Sequence, residues 1–133
     1  MSRIAQGENV LLERFIPGQA MSFSMLCSPK NFEVISINHQ LINIKKNGEL
    51  SYDGVSRVNY EIDQQLKIKI DDVANKIRRA IPGLKGFVGV DFILDKNSNI
   101  CVIEINPRIT CSYIGLSDHL NRSLAQEILQ ICL

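Results

Sequence analysis

No stretch of this sequence is apolar for long enough to cross a membrane as a helix. Its first ten residues, MSRIAQGENV, lack the apolar centre of a secretory signal. Both absences point to the cytoplasm. Charge of one sign is missing as well. The formal net charge is +1, and Lys45–Lys46 and Arg78–Arg79 are only short basic pairs, so nothing marks a nucleic-acid partner. No CxxC pair occurs among Cys27, Cys101, Cys111 and Cys132, and none of them clusters with His39 or His119. That argues against a zinc site and, in a cytoplasmic setting, for reduced and mostly buried thiols. The chain also has no Gly-rich phosphate loop, no internal repeat and no low-complexity tract.

What is present fits a single domain over residues 1–133. Hydrophobic residues make up 45% and charged residues 22%, the balance of a globular chain rather than a disordered one. The first third reads as β: runs at Val10–Phe15, Met21–Cys27 and Phe32–Asn38, then Leu41, Ile42 and Ile44 ahead of an Asn47–Gly48 turn. Ser51–Asn59 is polar, contains Gly54 and reads as a loop. Ile62, Leu66, Ile70, Val73, Ile77 and Ile81 recur at intervals of three and four, one apolar stripe on a long helix that Pro82–Gly83 stops. Two strands follow, Gly86–Asp95 and Ile100–Asn106, joined by the turn Lys96-Asn97-Ser98-Asn99. After a loop, Ser117 can cap a final helix with Leu120, Leu124, Ile128 and Ile131 on one face. The expected class is α+β, an antiparallel sheet with two helices on one face. Met21, Met25 and the Phe residues are core by default.

The second hairpin carries the chemistry. A turn centred on Asn97–Ser98 pairs Asp95 with Ile100, Asp91 with Glu104 and Gly89 with Asn106. Because side chains alternate along a strand, those last four share one face, and Val90, Phe92, Ile103 and Ile105 share the other, which suits a core. Carboxylates directly opposite each other repel. A shared proton or a divalent cation would offset that. Magnesium takes one or two carboxylates together with phosphate oxygens and water. Asn106 adds an amide oxygen on the same face, and Gly89 leaves space opposite it. Arg108 stands just beyond, with a guanidinium suited to negative charge on a phosphoryl group. Asn38 and Gln40 read as a polar strand end, with substrate binding as the alternative. His39 has no visible partner. Thr110, Ser112 and Tyr113 lie in the loop after the motif, where they either touch a substrate or make ordinary turn hydrogen bonds.

GVDFIL followed by VIEINPRITCSYIGL resembles the metal-binding core of the ATP-grasp superfamily, most closely its carboxylate–amine ligase branch. LLERFIPG resembles the hinge strand of that family. SINHQLI and SYDG are similar to an archaeal-type subgroup that includes the tyramine–glutamate ligases. The resemblance covers about Val10 to Leu116. It implies ATP and Mg²⁺ as cofactors, a small carboxylate and amine as substrates, and an acyl phosphate between them. It implies Asp91, Glu104 and Asn106 as metal ligands and Arg108 as the catalytic residue on the acyl phosphate. It places adenine at the hinge, Glu13, Arg14, Phe15 and Ile16, against the carbonyl of Arg14 and the N–H of Ile16.

Two features depart from the family pattern. Gln19-Ala20-Met21 stands where many members have a ribose-binding Glu. The phosphate-binding lysines and the substrate domain of a complete enzyme have no counterpart here, so the chain by itself is expected to be incomplete and inactive. The alternative is a non-catalytic module that binds metal or nucleotide, or joins another subunit. In a complete enzyme of this family, the corresponding part packs against the rest of the protein; on its own it would leave apolar surface in water. That surface, together with an apolar final helix, leads to the expectation of a homodimer or of a complex with a separate N-terminal half.

Overall fold

The structure, a computed structural model, describes residue 9 and residues 11–58 and 64–133. Five strands form one sheet: β1 (Gln19–Cys27), β2 (Phe32–Ile44), β3 (Leu50–Arg57), β4 (Gly86–Leu94) and β5 (Ile100–Asn106). Their order is β3-β2-β1-β4-β5, and each neighbouring pair is antiparallel. Helix α1 (Gln64–Ala80) lies between β3 and β4 in the chain; α2 (Leu116–Leu120) and α3 (Leu124–Cys132) follow β5. The α+β class and the antiparallel sheet are as expected.

Alternation along β1 separates two cores. Met21, Phe23 and Met25 face Phe92, Val90 and Val88 across the β1–β4 ladder. With Ile37 they meet Leu66, Ile70, Ala74 and Ile77 of α1. Leu26 points the other way, faces Phe87, and joins Ile35, Leu116 and Leu124 in a second cluster backed by Ile128 and Ile131. The helices therefore divide between the two faces of the sheet, which corrects the one-face expectation. Periodicity tells which side chains share a face of a helix, but not which side of a doubly covered sheet that helix takes. On α1 the stripe holds from Leu66 to Ile77, with Ala74 filling a fully buried position and Ile81 41% exposed beyond the helix end; Ile62 lies outside the described residues.

Four local expectations fail. Residues 11–17 adopt no regular structure, and Leu11, Leu12 and Phe15 are exposed, so the Val10–Phe15 strand is absent over its described part and Phe15 is not core. Ser51–Arg57 is not a loop but most of β3, an edge strand whose polar, solvent-facing residues hide the alternation. The last helix is broken at Asn121, whose φ of 51° is left-handed; Ser117 sits inside α2, and Ser123 precedes α3. Arg122 pins the break by donating to Glu33 of β2 at 2.7 Å and to Glu127 of α3. Of the cysteines only Cys27 is buried; Cys101 is half-buried, and Cys111 and Cys132 are exposed, contrary to the expected burial.

Candidate active site

The β4–β5 ladder pairs Gly89 with Asn106, Val90 with Ile105 and Asp91 with Glu104. A step further the register shifts: Phe92 faces Val102, and Leu94 faces Ile100. Ile103 is thus an extra residue in β5. It is 56% exposed instead of joining the core. The turn is one residue tighter than the sequence suggests, and this bulge makes up the difference. Without it Glu104 would fall out of step with Asp91, because a one-residue slip sends a side chain to the opposite face. The turn itself is held by Asp95, whose Oδ1 accepts from the N–H of Asn97 and of Asn99, both at 2.8 Å. The Asn99 side chain and those N–H groups hold its carboxyl below the usual carboxylate range.

Asp91 is only partly accessible. Burial pushes its carboxyl up, with Glu104 adding to the effect, while a hydrogen bond from Gln40 and the charge of Arg108 act in the opposite direction. The Asn106 amide bridges the two carboxylates: its Nδ2 donates to Asp91 Oδ2 at 3.3 Å and to Glu104 Oε2 at 3.2 Å. Its Oδ1 accepts from Arg108 at 3.1 Å. The sequence motif therefore comes together in space as a connected set, two acids, an amide and a guanidinium. Among the described residues no three His, Cys, Asp or Glu side chains converge as a metal cluster. A cation here would need oxygens from the amide and from a ligand.

These groups line a cleft of about 270 Å³ with Ser22, Gln40, Tyr52, Val55, Thr110, Cys111 and Ser112. Gln40 donates to Asp91 Oδ1 at 2.8 Å, which corrects its reading as a polar strand end. Tyr52 and Val55 come from β3, the segment whose sequence reads as a loop. Asn38 is buried and donates to Ser36 and Ser22. His39 does have a partner, Gln19, at 2.9 Å. Gly89 leaves no open space: a Cβ there would stand 2.6 Å from Thr110 Cγ2. Thr110 fills that gap and shares a hydrogen bond with Ser112 at 2.8 Å, and Ser112 shares another with the buried Ser24 at 2.7 Å. Tyr113 turns away from the cleft and packs edge-on against Phe87.

Cys101 faces Ile93 in the shifted register, so it lies on the same face of the hairpin as Asp91 and Glu104. That face runs to a second, larger cavity of about 800 Å³, lined by Arg14, Phe15, Ile16, Pro17, Gly18, Gln19 and the β4–β5 turn. Glu13 is not part of that lining. At about 3.3 Å per residue, Leu94 stands roughly 10 Å along β4 from Asp91.

A family model described as an ATP-grasp domain matches residues 2–112. Tyramine–L-glutamate ligase of Methanocaldococcus jannaschii is 40% identical over 123 residues, covering 92% of this chain and 36% of that protein. A solved structure from Archaeoglobus fulgidus, assigned to the ATP-grasp superfamily, matches with a TM-score of 0.69 at 28% identity over 87% of this chain and 36% of its own. L-amino acid ligase from Bacillus licheniformis gives the same TM-score at 21% identity, over 87% of this chain and 29% of its own, a likeness of fold. The chain spans about a third of the length of the curated relatives it matches. With the family model covering most of its residues and the hairpin set in place, the chain belongs to the ATP-grasp family.

Proposed function

We propose that these residues are part of an ATP- and Mg²⁺-dependent carboxylate–amine ligase, and that Asp91, Glu104 and Asn106 hold the metal against the nucleotide's phosphates. The observation that carries this is the Asn106 amide bridging two facing carboxylates. A donor group already occupies the place where a cation would offset their repulsion. The donor set fits magnesium: two hard carboxylates, room for phosphate and water, and an amide whose oxygen, turned to Arg108 here, would reach the cation once the amide flips. When bound, magnesium would neutralise phosphate charge and polarise the transferring phosphoryl group.

The remaining roles belong to the chain's own groups. Residues 14–16 would carry adenine at the larger cavity, through the Arg14 carbonyl and the Ile16 N–H, with Glu13 beside them. A substrate carboxylate oxygen would attack the γ-phosphorus, releasing ADP and leaving an acyl phosphate. An amine would then attack the carbonyl carbon, expelling phosphate and losing a proton to give an amide. Arg108, beside Asn106, would hold negative charge on the phosphoryl group in both steps. The work of the site is positioning and charge neutralisation rather than covalent catalysis. The relatives' greater length supports a further proposal: parts beyond these residues supply the phosphate-binding lysines, and this chain alone binds ATP without turning it over. Its free thiols suit a cytoplasmic, reducing setting.

Equilibrium binding of a fluorescent ATP analogue tests this reading. Magnesium should tighten binding to the wild type by at least about tenfold, worth ~1.4 kcal/mol, and should do so much less for Glu104→Gln. Equal affinity with and without magnesium in the wild type would refute the assignment.

A further inference from the structure

The Asp91 carboxylate is held from two sides, and only one of them belongs to the hairpin motif. Asp91 Oδ2 turns toward β5, where Asn106 donates to it. Asp91 Oδ1 turns toward β2, where Gln40 Nε2 donates at 2.8 Å. Strand β1 lies between β2 and β4, so Gln40 must reach across it. Ser22 makes this possible: it pairs with Asn38 on one side and with Asp91 on the other, and its small, buried side chain leaves the gap open. Asn38, on the same face of β2 as Gln40, is itself fixed by Ser36 and Ser22. The strand segment that presents Gln40 is therefore anchored in the sheet.

We infer that Gln40 is a positioning residue: it holds Oδ1 of Asp91 so that Oδ2 is the oxygen offered to the cation between β4 and β5. This rests on the metal site proposed above. Neighbours that fix a ligating carboxylate commonly govern metal affinity without touching the metal. A carboxylate fixed in one orientation also favours a small cation with strict octahedral geometry over a larger, tolerant one. Removing the Gln40 amide should therefore weaken Mn²⁺, a stand-in for magnesium, more than Ca²⁺. A purely structural role would move both ions and the melting temperature together.

The experiment titrates Mn²⁺ alone into the whole chain, reads water-proton relaxation, and measures Ca²⁺ by competition. Gln40→Met keeps the side chain's length without its donor; Gln40→Asn keeps the amide but falls one methylene short, and carries the test should the first variant fold poorly. Both should lose roughly tenfold or more in Mn²⁺ affinity, with a smaller loss for Ca²⁺ and an unchanged melting temperature. Mn²⁺ affinity within about twofold of wild type, or equal losses for both ions, would overturn the role of Gln40. Asp91→Asn is the control for the site. If it binds Mn²⁺ as the wild type does, or the wild type does not bind, the metal reading itself fails; if Asp91→Asn loses Mn²⁺ while the Gln40 variants keep it or lose both ions equally, that reading stands and the inference falls.

Discussion

Asp91 concentrates the tension of the site. Its carboxyl is pushed above the ordinary carboxylate range by burial first and by Glu104 second. For an acid raised on folding, the folded state holds the proton more tightly than the unfolded state. The stability linked to that proton is complete below the unfolded value and is lost as pH rises through the folded one. Glu104→Gln, whose amide oxygen can still accept from Asn106, should therefore be more stable than wild type at neutral pH, by about 0.5–1 kcal/mol for relief of two facing like charges. The gain should fade as the pH is lowered toward about 4. Melting curves across that range check it; a difference that does not change with pH would contradict the stated cause. Little of this environment is visible in the sequence beyond the pair itself. Gln40 escapes a sequence reading because β1 separates it from Asp91, and no local pattern records a reach across a strand. His39 lacks a partner in the sequence for a similar reason, since Gln19 meets it only across the β1–β2 ladder.

At the scale of elements, the hairpin is legible because alternation and a strong turn fix it. The pairing of Asp91 with Glu104 comes out right although the turn and the bulge each differ by a residue from the simple register. β3 is not legible, since an exposed edge strand carries no buried stripe, and the break at Asn121 is not, since left-handed backbone at a non-Gly residue leaves only a weak trace. The close approach at Gly89 also shows only in space. A methyl group at that position meets the branched end of Thr110 at 2.6 Å. Gly89→Ala should cost about 1–3 kcal/mol, the usual range for overpacking. Thr110→Ser, which removes the offending methyl and keeps the hydroxyl bonded to Ser112, should return most of that loss in the double variant. Denaturant unfolding of the two single variants and the double variant checks this; additive losses would mean that the clash is relieved elsewhere.

Across the whole molecule, the ATP-grasp resemblance read from the hairpin agrees with the family match and with the fold of solved relatives. Among the described residues no helix is long and apolar enough to cross a membrane. The expected self-association loses the support it drew from the final helix, because Leu124 is buried and Ile128 packs against the chain's own second core. It rests instead on the distal β2–β3 hairpin. There Ile44 faces Leu50, and both are exposed, as is Ile42. Sedimentation equilibrium should show a mass rising toward a dimer with concentration, reversed by Ile44→Lys together with Leu50→Lys. A monomer mass at every concentration would remove the idea.

The proposal on which the other roles depend is that Asp91 and Glu104 face each other in order to share a divalent cation. Mn²⁺ titration followed by water-proton relaxation tests it most directly, comparing wild type with Glu104→Gln. The wild type should show enhancement, weak without phosphate because such sites complete their shell with phosphate and water, and the variant should show a clear loss. Equal enhancement in both proteins would contradict it.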